Sequence, residues 1–166
     1  LTVPGEGVYT YDPATGAYGS STWDQAFVML GLRSAGESIP APAMSHLLAS
    51  AQSDGGWGFA AGGASDVDST ALALQALAAA GVPPTEPGIL AAIAFLDAAQ
   101  NSDGGFPNTP DAGGNDTSNA NSTAFAIQSL LAVDQDPLLA RWQPSTTNPD
   151  SYLLALQQPD GAFTFG

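Results

Sequence analysis

Asp66 and Asp68 stand one residue apart in "DVDSTA", immediately ahead of the apolar run "LALQALAAAG". Two neighbouring carboxyls can work as an acid catalyst, one holding a proton while the other and the surroundings tune it. The same residues can do purely structural work, because an Asp or Ser oxygen before a helix accepts the free N–H groups of its first turn. A sister stretch, "NANSTA", holds Asn121 where this one holds Asp68. Asn caps a helix as well as Asp does, yet it is no acid. The comparison therefore favours helix capping by Asp68, Ser69, Asn121 and Ser122 over catalysis by Asp66 and Asp68.

Other candidate chemistry is sparse. His46 is the single histidine and falls on a predicted outer helix, where it reads as a surface or packing residue. No His/Cys/carboxylate set has transition-metal spacing, so neither a metal nor a cofactor is expected. Asp54, Asp103, Asp111, Asp116 and Asp160 lie in loops that could collect calcium, but Asp before Gly is first a turn residue and no EF-hand spacing occurs. Gln75 and Gln128 interrupt apolar helices; they read either as buried amides bonded to nearby backbone or as ligand contacts in a cavity. Asn115 and Asn121 head glycosylation sequons. Nucleophile-elbow, phosphate-loop and dinucleotide-binding patterns are missing.

The elements that position these residues come from an internal repeat. "AQSDGGWG", "AQNSDGGF" and "LQQPDGAF" share an apolar segment, Gln, an Asp-Gly turn and an aromatic residue, with a weaker copy in "PATGAYG". The repeat turns are thus Asp54-Gly55-Gly56-Trp57, Asp103-Gly104-Gly105-Phe106 and Asp160-Gly161 with Phe163. Gly takes the positive φ that ends a helix, and the aromatic can fold back as a plug between layers. After each turn comes a run such as "DSTALALQALAAAG" or "NSTAFAIQSLLAV", with "WDQAFVMLGLRSAG" as a diverged copy. These runs are apolar nearly all round and predict inner helices buried on both sides, whereas "APAMSHLLASAQ" and "PGILAAIAFLDAAQ" predict outer helices with one wet face. Helices are predicted over 22–35, 40–52, 69–80, 86–100, 122–133 and 149–158, with a short one near 137–142. An arm over 1–19 reads as a hairpin through "GVYTYDPATGAYG", and 20–166 as the repeat domain.

Composition bounds the partners. The chain has 166 residues, 16 acidic ones, two Arg, no Lys and a formal charge of −14. Nucleic acid is repelled, and no apolar run is long enough for a membrane span. Only 11% of residues are charged and Cys is absent, which fits a secreted or cell-surface protein with a surface of small polar residues. A chain that begins at Leu1 fits removal of a signal peptide, although a trimmed or fragmentary chain would begin the same way.

The Gln, Asp-Gly-Gly and aromatic turn followed by Ser-Thr-Ala resembles the prenyltransferase and squalene-cyclase repeat, with "FLDAAQNSDGGF" and "YLLALQQPDGAF" as its fullest copies. The resemblance covers nearly all of residues 13–166. It implies an all-α fold, an α/α toroid-like stack of helical hairpins. Three hairpins make an incomplete ring, with short β-like segments at the termini. It also implies that "DVDSTA" matches the cyclase acid motif Asp-X-Asp-Asp-Thr-Ala, with Asp68 as proton donor, Asp66 as the first Asp and Ser69 in place of the last. The zinc of the protein prenyltransferases finds no ligands here. Fold alone does not choose among the family's cyclases, carriers and modules without assigned activity.

On these residues the leading expectation is a non-catalytic, secreted structural or interaction module. Its partners would be copies of itself, joined head to tail into a ring or filament, or the remaining repeats of a longer chain. The proposed ends are Val8, Tyr9 and Tyr11 at one side and Ala162, Phe163 and Phe165 at the other. The alternatives are a carrier of an isoprenoid or cobalamin-like ligand on the inner-helix face, and a terpene or squalene cyclase-like enzyme with Asp68 as acid.

Overall fold

The computed structural model describes residues 11–110 and 117–166. Helices α1 (Thr22–Ser34), α3 (Val67–Ala79) and α5 (Ala120–Ala132) are the inner elements, and α2 (Ala41–Ala49), α4 (Pro87–Ala99) and α6 (Pro149–Leu156) the outer ones. Inner helices pack side by side in the order α1, α3, α5. Behind them α2 lies on α1 and α3, α4 on α3 and α6 on α5. This is the all-α hairpin stack of an α/α toroid. Among the described residues no strand forms, only isolated β-bridges.

Helix α3 is the centre of the core. Its Ala- and Leu-rich sequence has high helix propensity, and nine of its residues, from Val67 to Leu77, are buried. Small Ala side chains let α1 and α5 approach it from both sides. Helices α2 and α4 bury one face each, through Ala43 and Leu47 and through Ile89, Ala92, Ile93 and Leu96. Both begin at a proline in the first turn, where its missing N–H costs nothing.

Each unit is fastened by the same hydrogen bonds. The backbone N–H of Trp57 donates to Thr70 Oγ1 at 2.9 Å, and that of Phe106 donates to Thr123 Oγ1 at 2.9 Å. Before α1, Tyr18 N–H donates to Gln25 Oε1 at 2.6 Å. Gln25, Thr70 and Thr123 are the fourth residues of their helices, so one register serves all three. A second set runs the other way: the first helical N–H of Thr22, Val67 and Ala120 donates to the carbonyl of Phe59, Asn108 and Phe165. Trp57 and Phe106 are wholly buried as plugs between layers.

The outer helices stop sooner than the sequence predicts. Helix α2 ends at Ala49 rather than residue 52, and α6 at Leu156 rather than 158. The residues just past them are needed for the Gly turn: Gln52 N–H donates to Gly56 O, and Gln158 N–H to Ala162 O. The short helix expected near 137–142 is a single 3-10 turn, Ala140–Trp142.

The two ends also differ from the sequence reading. Val8 and Tyr9 lie outside the described residues, while Tyr11 pairs with Tyr18, ring to ring at 4.9 Å. At the other end, residues 162–165 fold onto their own chain: Gln157 bridges Phe163, and Phe165 O accepts Ala120 N–H at 2.7 Å. The backbone groups expected to pair with another copy are thus partly spent inside the chain. The Phe163 and Phe165 rings remain exposed.

Gly55 and Gly161 hold the same turn position, with φ of +89° and +90°. A Cβ at Gly55 would lie 2.6 Å from the Ala91 carbonyl oxygen, whereas at Gly161 nothing lies within 4 Å. Gly161→Ala should therefore cost only the left-handed strain, about 1 kcal/mol, and Gly55→Ala clearly more. Urea unfolding of the two variants measures the difference; equal losses would show that the close backbone approach is unimportant.

Candidate functional site

Helix α1 begins at Thr22 as the sequence predicts, but α3 and α5 begin two residues earlier than expected, and this reassigns their caps. Asp66, extended at φ −133° and ψ 158°, is the N-cap of α3, and Asn119 is the N-cap of α5. Asp66 Oδ1 accepts Ser69 N–H at 2.7 Å, and Asn119 Oδ1 accepts Ser122 N–H at 2.9 Å. The expected caps Asp68, Ser69, Asn121 and Ser122 all lie inside the helices. The cause is tertiary: Asp66 N–H donates to Trp57 O and Asn119 N–H to Phe106 O, so the chain is extended there and free to coil just after. Ser69 and Ser122 still serve the cap, as the third helical residues that receive it.

Asp68 is consequently relieved of capping duty. It is the second residue of α3 and half-buried, and its Oδ1 is buried without a hydrogen-bond partner. It is the one such side-chain atom among the described residues. A buried polar atom left unpaired is rare and asks for a functional explanation.

Asp66 is differently placed. Desolvation by burial raises its pKa above the ordinary carboxylate value. The Ser69 N–H and hydroxyl oppose this by hydrogen bonding, and the Asp68 charge adds to the rise. Ser69 Oγ donates to Asp66 Oδ2 at 2.8 Å while accepting the Trp23 indole N–H at 2.8 Å.

Trp23 was not legible as a site residue until the repeats were aligned on their caps. It is the second residue of α1, matching Asp68 in α3 and Asn121 in α5. Its ring gathers three others, Phe27 at 5.6 Å, Phe125 at 6.0 Å and Phe59 at 6.1 Å between centroids. Phe27 and Phe59 are 52% and 60% exposed. An aromatic group of this kind, beside the start of α3, offers π-faces to an apolar or cationic guest.

The remaining candidates fall elsewhere. Asp54 Oδ1 accepts Gly56 N–H and the Ser65 hydroxyl, and Asp103 Oδ1 accepts Gly105 N–H and the Ser118 hydroxyl, so both carboxylates shape turns. Asp160 Oδ1 accepts Ala162 N–H in the same way. Asp111, Asp116 and Asn115 lie outside the described residues. Among the described residues no group of three or more acidic or His side chains could hold a metal ion. Gln75 bonds its own helix at Ala71 O, 3.4 Å away, and Gln128 is exposed. His46 lines a cavity of about 200 Å³ with Tyr18 and Gln25, away from the acid motif.

Residues 24–165 match the profile of the family described as the squalene-hopene cyclase C-terminal domain. The drimenyl diphosphate synthase of Streptomyces showdoensis is 43% identical over 74 residues, which are 43% of this chain and 14% of that protein. The structure of Candida albicans protein geranylgeranyltransferase-I complexed with GGPP superposes with a TM-score of 0.64 at 18% identity, over 94% of this chain and 47% of that one. The chain therefore spans less than half the length of either protein.

The cap assignment is testable by exchange. Because the Asp66 pKa is raised in the folded state, its contribution to stability is full below the unfolded value and is lost as pH rises through the folded one. Asp66→Asn keeps an oxygen acceptor, as Asn119 does, and should be at least as stable as the parent at pH 7. Asp66→Ala should lose about 1 kcal/mol. Thermal unfolding between pH 3 and 7 checks both, and the Asn variant's advantage should shrink on acidification.

Proposed function

The chain belongs to the squalene-hopene cyclase C-terminal domain family, and on that premise we propose that its inner-helix face cyclises a polyisoprenoid by proton transfer from Asp68. It is a terpene cyclase- and prenyltransferase-like domain, and the cyclase reading suits its residues best. The observation that carries it is the Asp68 carboxyl, freed of capping by Asp66 and left with a buried, unpaired oxygen.

The chemistry balances without any co-reactant. The Asp68 O–H bond breaks as its proton forms a C–H bond with the terminal alkene. The alkene π pair supplies the electrons and leaves a tertiary cation. The next double bond attacks that cation and closes a ring, and loss of a proton to a base ends the sequence, so the product is an isomer of the substrate. Carbocations of this kind need a surface that is dry and electron-rich. Trp23, Phe27, Phe59 and Phe125 would supply it, their faces attracting positive charge as in other cation–π contacts. A polyprene laid along this face would also cover the exposed Phe27 and Phe59 rings. The relative's name, drimenyl diphosphate synthase, makes polyprenyl diphosphates the first substrates to try, with squalene beside them.

A second reading, an interaction module that associates with copies of itself, is favoured by one observation. Phe163 is 50% exposed while its repeat equivalents Trp57 and Phe106 are at 0%. With Leu154 and Phe165 also exposed, this end resembles an interface awaiting cover.

Incubation of the chain with farnesyl and geranylgeranyl diphosphate and with squalene, followed by mass spectrometry, separates the readings. Cyclic isomers that disappear in Asp68→Asn, with folding unchanged, are the expected result. The loss should be on the order of a thousandfold or more, as for removal of an essential proton donor. Turnover that survives in Asp68→Asn would remove Asp68 from the role. Absence of turnover together with concentration-dependent light scattering that Phe163→Ser abolishes would favour the module.

A further inference from the structure

Resting on the cyclase reading, we infer that Trp23 is a positioning residue: through Ser69 it keeps Asp66 engaged, so that the carboxyl of Asp68 is left free for substrate. Two carboxyls one residue apart have an easy alternative, in which the acid of one donates to the oxygen of the other and its proton is withdrawn from the site. Here both oxygens of Asp66 are already engaged elsewhere. Asp66 Oδ1 holds Ser69 N–H at 2.7 Å and Oδ2 holds the Ser69 hydroxyl at 2.8 Å.

The direction of the Ser69 hydroxyl is the critical point. A hydroxyl has one proton and can turn it toward either of two neighbours. The Trp23 indole can only donate, and its Nε1 lies 2.8 Å from Ser69 Oγ. Ser69 must accept from Trp23 and so directs its own proton to Asp66. The sister unit shows what happens otherwise. Asn119 Nδ2 donates to Ser122 Oγ at 3.1 Å, so polarity is reversed where the cap is an amide. Ser69 is at 0% exposure, and water does not compete for it.

Trp23 thus joins two parts of the site with one side chain. Its N–H fixes the carboxyl network, and its ring belongs to the aromatic group with Phe27, Phe59 and Phe125. This gives the start of α1 a task in a site whose acid sits on α3. It also accounts for Ser69, which stands where the matching cyclase motif has Asp. A third carboxylate could not take a proton from indole and hand another to Asp66 without itself being protonated.

The test separates this role from the cyclase reading. In Trp23→Phe the ring stays and the N–H goes; in Ser69→Ala the acceptor goes. In a nitrogen–proton NMR spectrum, the Trp23 indole resonance is assigned by its loss in Trp23→Phe. It should move upfield and exchange faster in Ser69→Ala. With a polyprene that the parent chain turns over, Trp23→Phe should lower kcat about tenfold with KM little changed, the worth of one hydrogen bond. The double variant should be no worse than either single one, because both break one link. An indole resonance indifferent to Ser69→Ala overturns the inference even if turnover depends on Asp68. A shifted resonance with unchanged kcat in Trp23→Phe overturns it too. A shifted resonance in a chain that turns over no polyprene overturns the cyclase reading, and the positioning role falls with it.

Discussion

The hydrogen bond from a turn aromatic to the fourth residue of the following inner helix sets the geometry of everything else. It is buried, and a buried N–H without a partner would cost about 1–3 kcal/mol. Thr70 and Thr123 each receive such a bond, so the plug ring, the turn and the helix start are locked in one register. Once Trp57 is seated, its carbonyl takes Asp66 N–H, and Asp66 is fixed as the residue that opens α3. The division of labour between Asp66 and Asp68 follows from that bond. A helix start two residues later would make Asp68 the cap and leave Asp66 outside the helix.

A common scaffold therefore yields three different occupants at one position. The second residue of each inner helix is Trp in α1, Asp in α3 and Asn in α5. Each inner helix starts in the same register from an extended cap residue, Ser21, Asp66 or Asn119, so the differences lie in the side chains. An aromatic, a carboxyl and an amide brought to the same end of three packed helices make a surface that no single repeat could provide. Repetition supplies the frame, and departures from it supply the candidate chemistry.

The repeat was open to reading in sequence because Asp-Gly turns and Ser-Thr-Ala starts are local signals with local causes. The fold class and the family resemblance rested on them. The caps were harder. "SDVDST" and "TSNANST" offer several cap-competent residues in succession, and local propensity does not choose between them; the tertiary bonds of Asp66 and Asn119 do. Reading Asp68 as a cap, and so as chemically inert, came from that ambiguity. The aromatic group was illegible for another reason. Its members are scattered over positions 23, 27, 59 and 125, and only the packing of α1 and α5 on either side of α3 brings them together. The stacking of Trp23, Asp68 and Asn121 in one aligned column was the available signal, and it needs the correct cap to be seen.

Tyr18 has a consequence of its own. It fills for α1 the seat that Trp57 and Phe106 fill for α3 and α5, and Gln25 reaches further than Thr to hold it, bonding Gly16 O and Ala43 O at 3.0 Å as well. The stack is therefore polar. One end already carries a bound aromatic from its own hairpin, and the other presents Phe163 half-exposed. A second copy arriving head to tail would have to evict Tyr18 before its own Phe163 could enter. On the interaction-module reading, two copies meeting by their Phe163 ends would evict nothing, and such a pair would be closed by a twofold axis rather than extended into a filament.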